Sequence, residues 1–179
     1  MRGVFVAGSI LLSSMTGCAT GPGLEGPEGR DMAPVISFTD PAKCEPSAAF
    51  GILLDGLLEQ DENGRIETGA VIVPAAFRRN FGTIEVEIEG QNRTASVPVD
   101  GTLYGLPLKS IHTARYAGGD PYPWGVTFAA PEAQVRPVLE QAGFDFARST
   151  ADRSMGVYEM FVTLMPGGAA ETTLLCGYS

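Results

Sequence analysis

Ile84-Glu85-Val86-Glu87-Ile88-Glu89-Gly90-Gln91-Asn92-Arg93-Thr94-Ala95-Ser96-Val97-Pro98-Val99 alternates apolar and polar residues on both sides of a Gly-Gln-Asn turn. A β-strand sends successive side chains to opposite faces, so a period of two marks a strand with one buried face. Two such runs joined by turn residues predict an antiparallel hairpin. Ile84, Val86 and Ile88 with Ala95, Val97 and Val99 form the inward set, and Glu85, Glu87 and Glu89 form an exposed acidic row. That row suits a cation or a basic partner, and it equally serves to prevent edge-to-edge association. Arg93 is placed to offset Glu89 across the turn.

On the N-terminal side of the hairpin the period is helical. Pro46 suits a first helical turn, and Phe50, Leu53, Leu54, Leu57 and Leu58 recur at three- and four-residue spacing as an apolar stripe. Asp55 and Glu59 lie four apart beside it, where two carboxylates could act as acid and base or simply stand in solvent. Counted from Glu59, residues Asp61, Asn63, Gly64 and Ile66 fall at calcium-loop positions of an EF-hand. The twelfth position is Ala70, where that loop needs a bidentate Glu, and 69–74 reads as strand, so Asn63-Gly64 is more simply a turn after the helix.

On the C-terminal side, 103–116 is extended but irregular: Leu106, Leu108, His112, Ala114 and Tyr116 share a parity that Ile111 breaks, which predicts a bulge or a strand leaving the sheet edge. A loop rich in Gly and Pro leads to a short strand at 126–130. Pro131 then opens a second helix with Val135, Val138, Leu139 and Ala142 inward and Gly143 as its C-cap. Strands at 157–165 and 171–176 close the chain. These elements predict an α+β domain over 35–179, an antiparallel sheet of about five to seven strands packed by two helices, with no internal repeat.

Of the 179 residues, 44% are hydrophobic and 18% charged, which excludes a disordered chain. A net charge of -9 excludes nucleic acid as a partner, because phosphate binding needs a positive footprint.

Arg2 precedes an uncharged stretch, 3–15, whose apolar run fits an export signal and is too short to span a bilayer. Met15-Thr16-Gly17-Cys18 follows it directly. These four residues resemble the lipobox of bacterial lipoproteins, with Met15 in place of the usual Leu. The resemblance covers residues 1–18 alone. It implies removal of residues 1–17 and a diacylglyceryl thioether on Cys18, usually with an added N-acyl chain such as palmitate. It also implies a membrane partner reached through that anchor. Ala19, where enterobacterial lipoproteins kept in the inner membrane carry Asp, favours the periplasmic face of the outer membrane. Ordinary signal cleavage after Ala19 is the competing reading, since Gly17 and Ala19 are both small. Residues 18–34 then comprise the lipidated Cys and a Gly/Pro-rich tether, a coil spanning roughly 20 to 25 Å r.m.s.. Loss of Arg2 with the signal leaves 11 Lys+Arg against 21 Asp+Glu.

With Cys18 lipidated, Cys44 and Cys176 remain, and an oxidising compartment makes them a disulfide. Closing so long a loop stabilises by about 4 to 5 kcal/mol on the chain-entropy account. Chemistry is sparse. The single histidine, His112, has no G-x-S-x-G partner motif and no free thiol, and one His without spare thiolates suggests neither zinc nor another cofactor. The loop from Tyr116 to Trp124 is the candidate recognition element: Tyr116, Asp120, Tyr122 and Trp124, with Pro121 and Pro123 stiffening the aromatics; the competing reading is that the single Trp covers the end of the core. The function expected is a lipid-anchored envelope protein with a non-catalytic binding or assembly role, its partner another envelope protein. A hydrolase of envelope polymers using carboxylates and a lipid- or glycan-binding module are the alternatives.

Overall fold

Met32 is wholly buried, and its N–H donates to Thr102 O at 2.8 Å while Arg30 O accepts the Thr102 N–H at 2.8 Å. The packed chain therefore begins before residue 35: the last residues of the expected tether pair with the sheet because Met32, Val35 and Ile36 are apolar enough to reward burial. The computed structural model describes residues 29–90, 92–116, 123–146, 154–155 and 158–178.

Strands β1 (Phe38–Asp40) and β2 (Glu45–Pro46) pair around a 3-10 turn, Pro41–Lys43, which ends at Cys44 with a φ of 50°. Helix α1 (Ala48–Leu57) follows. Its cap is Ser47, whose hydroxyl accepts the Phe50 N–H at 3.3 Å, so Pro46 precedes the helix instead of opening it. The stripe is buried as expected through Phe50, Leu53, Leu54 and Leu57.

At its C-terminus the expectation changes. Leu58 turns extended, and β3 (Leu58–Gln60) pairs with β4 (Ile66–Thr68). The calcium-like stretch is the turn of this hairpin: Asp61 Oδ1 accepts the N–H groups of Asn63 at 2.8 Å and Arg65 at 2.7 Å. These bonds, that from Arg65 foremost, hold the Asp61 carboxyl below its ordinary range. The strand expected at 69–74 is absent. Instead Gly69 N and Ala70 N donate to Leu57 O and Gly56 O, satisfying carbonyls that a helix end leaves open. A Cβ on Gly69 would overlap Gly56 O, so only glycine permits this return. A 3-10 turn, Ala75–Asn80, then leads to the sheet.

The remaining elements are β5 (Glu85–Glu89), β6 (Asn92–Pro98), β7 (Thr102–Leu103), β8 (Leu106–Arg115), β9 (Trp124–Phe128), α2 (Glu132–Gln141), β10 (Ser154–Met155), β11 (Tyr158–Pro166) and β12 (Thr172–Tyr178). Seven strands line up antiparallel in the order β10-β11-β12-β9-β8-β6-β5, with β7 hairpinned onto β8. The β7–β8 turn is Tyr104-Gly105 with φ of 53° and 76°, the two positive values that a tight hairpin turn requires. The β5–β6 hairpin has its predicted inward and outward sets, but Arg93 stands opposite Ile88 and donates to Gly90 O and Asn92 O at 3.0 Å. Ile88, at the tip, is 63% exposed because the helices do not reach it. The predicted bulge lies between Leu108 and Ser110 of β8.

Pairing across six strands defines the two faces. Val86, Ala95, Thr113, Trp124, Cys176 and Val162 form one row, and Glu85, Ser96, His112, Gly125, Leu175 and Thr163 the next. Both helices cover the first face: Phe50 of α1 meets Trp124, and Phe144, just beyond α2, meets Phe38 in the same cluster. Gly143 closes α2 with a φ of 101°, letting Phe144 N donate to Leu139 O. Cys44 and Cys176 are disulfide-bonded beneath this layer, with Cα atoms 6.0 Å apart. The result is one sheet-rich α+β domain. Among the described residues no helix is long and apolar enough to cross a membrane.

Candidate functional site

The expected recognition loop divides. Tyr116 follows β8 and is 39% exposed, whereas Asp120 and Tyr122, like Cys18, lie outside the described residues. Trp124 is the first residue of β9 and points to the covered face, its ring 5.3 Å from Phe50 and 5.6 Å from Phe38 between centroids. Strand parity, set by pairing with Cys176 and Thr113, turns the indole inward. Trp124 thus roofs the core and is spent on packing.

The opposite face of the sheet is small and polar at its centre. His112 lies over Gly125, where a Cβ would overlap His112 Nε2 and sit 2.6 Å from Leu174 O. Thr127 and Thr173 share a hydroxyl hydrogen bond of 2.8 Å beside them. Burial against the strands pushes the His112 imidazole below its ordinary value, so the neutral form is favoured. Among the described residues the His112 imidazole makes no ion pair or hydrogen bond, and it packs against the bare backbone of Gly125.

Both carboxylates weighed for acid–base work, Asp55 and Glu59, are exposed, as the solvated reading expects. Asp55 faces Arg115 at 3.7 Å, and Glu59 belongs to β3. Lys109 and Glu171 pair at 2.5 Å on the surface. Among the described residues no three His, Cys, Asp or Glu side chains converge.

A different surface is built at the edge where the chain joins the sheet. Asp31 bridges Thr102 in parallel, and Arg30 reaches across to the 3-10 turn, donating from Nη1 to Ala76 O at 2.6 Å with its guanidinium 4.2 Å over the Phe77 ring. The same turn ends at Asn80, whose Nδ2 donates to Asp100 O at 2.7 Å and whose backbone O accepts the Asp100 N–H at 2.8 Å. Asn80 Oδ1 is buried with no donor. Arg79, Asn80, Phe81, Pro98 and Asp100 line a shallow groove of about 400 Å³. No family model, no curated protein and no solved structure matches this chain. What it does must therefore be argued from its own residues. Sequence reasoning passed over this edge, although one signal was there: Arg78-Arg79 is the only adjacent pair of basic residues in an acidic chain.

Proposed function

We propose that the chain is an exported, lipid-anchored envelope protein, held through Cys18 at the periplasmic face of the outer membrane, with a non-catalytic binding or assembly role toward another envelope protein. The observation that carries this reading is the buried Cys44–Cys176 disulfide. A disulfide persists in an oxidising compartment, and its formation leaves Cys18 as the single unpaired thiol, at the lipobox position. Two or three acyl chains at about 0.8 kcal/mol per buried CH₂ hold a protein to a bilayer durably, whereas one does not. The sheet face without helices offers area for a partner.

Intact mass of the membrane-extracted protein tests the anchor. The expected product starts at Cys18, carries diacylglyceryl and N-acyl mass, and shows no reactive thiol when denatured without reductant. A product starting at Thr20 with no acyl mass overturns the anchor, and two free thiols overturn the compartment. Crosslinking in native membranes followed by mass spectrometry tests the role, with a specific envelope protein as the expected adduct; recovery of none would refute it.

A further inference from the structure

We infer that the edge carrying Arg30, Arg78 and Arg79 rests on anionic lipid headgroups, so that the anchored domain stands with its acidic hairpin pointing away from the bilayer. The inference rests on the Cys18 anchor. Because the packed chain begins at about Arg30, only the ten residues 19–28 and Gly29 separate the lipid from the fold. Fully extended, that stretch reaches at most about 40 Å, against about 60 Å for a tether running to Pro34. The chain emerges at Arg30, and Arg30 is itself bonded to Ala76 in the turn that carries Arg78 and Arg79. The surface nearest the bilayer is therefore this one.

Its charge agrees with that placement. Among the described residues, Arg30, Arg78 and Arg79 are exposed here, together with Ala75 and Ala76, beside the carboxylates of Asp31 and Asp100. From Gly82 the chain enters β5, whose residues Glu85, Glu87 and Glu89 are all exposed and lead to the Gly90 turn. At about 3.3 Å per residue that turn lies roughly 25 Å from Gly82. Attraction to an anionic surface acts within a Debye length of about 8 Å, so the arginine edge feels it and the far glutamates are spared the repulsion. The inverted orientation would bring three carboxylates to the headgroups and stretch the tether across the domain.

The test uses the mature lipidated protein in vesicles of phosphatidylethanolamine and phosphatidylglycerol, with a photo-crosslinking phenylalanine analogue at Ala75 or, separately, at Glu87. Lipid adducts are expected at position 75 in roughly tenfold excess over position 87, and Arg78→Glu with Arg79→Glu should lower the yield at 75 to that of 87. Replacing phosphatidylglycerol by phosphatidylcholine, which leaves the protein untouched, should lower it in the same sense. Equal yields at the two positions, or a yield at 75 indifferent to both changes, overturns the orientation. So does a protein adduct replacing the lipid adduct at 75 in native membranes. Intact mass of the same preparation separates the two claims: acyl mass present with equal yields refutes the orientation alone, and acyl mass absent refutes the anchor.

Discussion

On the covered face of the sheet, Val97, Ile111, Val126 and Leu174 follow one another across four strands and are buried under α1 and α2. One residue along each strand, on the other face, Ser96, His112, Gly125 and Leu175 do the same with no helix above them among the described residues. The strands are common to both faces, and the backbone hydrogen bonds serve both. What differs is the source of stability. The covered face gains from apolar area removed from water, from four clustered rings and from a disulfide. The open face holds by fit: glycine under imidazole, hydroxyl against hydroxyl. An antiparallel sheet needs large apolar side chains on one side only, and the other can stay small and polar.

The largest test of that contrast removes the staple. Cys44→Ser with Cys176→Ser should cost about 5 kcal/mol by urea denaturation, because the loop between them spans 132 residues. A loss below about 1 kcal/mol would mean that the covered face does not depend on it. Phe50→Ala comes next, at about 3 to 5 kcal/mol, since its ring meets both Phe38 and Trp124. Gly125→Ala sharpens the other side: about 1 to 3 kcal/mol from overpacking alone, although the change adds apolar surface. Adding His112→Ala should recover part of that loss, because the overlap with Nε2 disappears while the one with Leu174 O remains. Strict additivity of the two changes would show that the imidazole does not lie over Gly125.

The smallest effect is a pH dependence. Burial lowers the His112 value in the fold, so the unfolded chain binds the proton more readily. Stability from this group is fully present above the ordinary histidine value of about 6.5 and is lost as pH falls from there through the lowered value. Thermal melts in that window should show His112→Gln less pH-sensitive than the native chain, and parallel curves would remove His112 from the account.

Alternation made β5 and β6 readable to within a residue, and three-four spacing did the same for the inward side of α1. The Cys44–Cys176 pair followed from counting. The misreadings share a cause. Residues 29–34 look like coil until Met32 finds Thr102, seventy positions away in the chain. The stretch 69–74 looks like strand, yet the N–H groups of Gly69 and Ala70 are taken by the end of α1. Trp124 reads as a loop anchor or as a cover for the core, and only its parity against Cys176 turns it inward. Local pattern records which face of an element is apolar, but not which distant groups compete for its backbone. The edge at Arg30, Arg78 and Arg79 was hidden for the same reason: 46 positions separate Arg30 from Ala76, and only the fold joins them.

By itself the sequence determined the α+β class, the two helices, the β5–β6 hairpin and the cysteine pairing, because each rests on a short-range period or a count. The tertiary structure alone decided which face carries the helices and where the chain joins the sheet. Those are outcomes of long-range pairing, in which a backbone donor or an apolar side chain takes the partner that folding brings within reach.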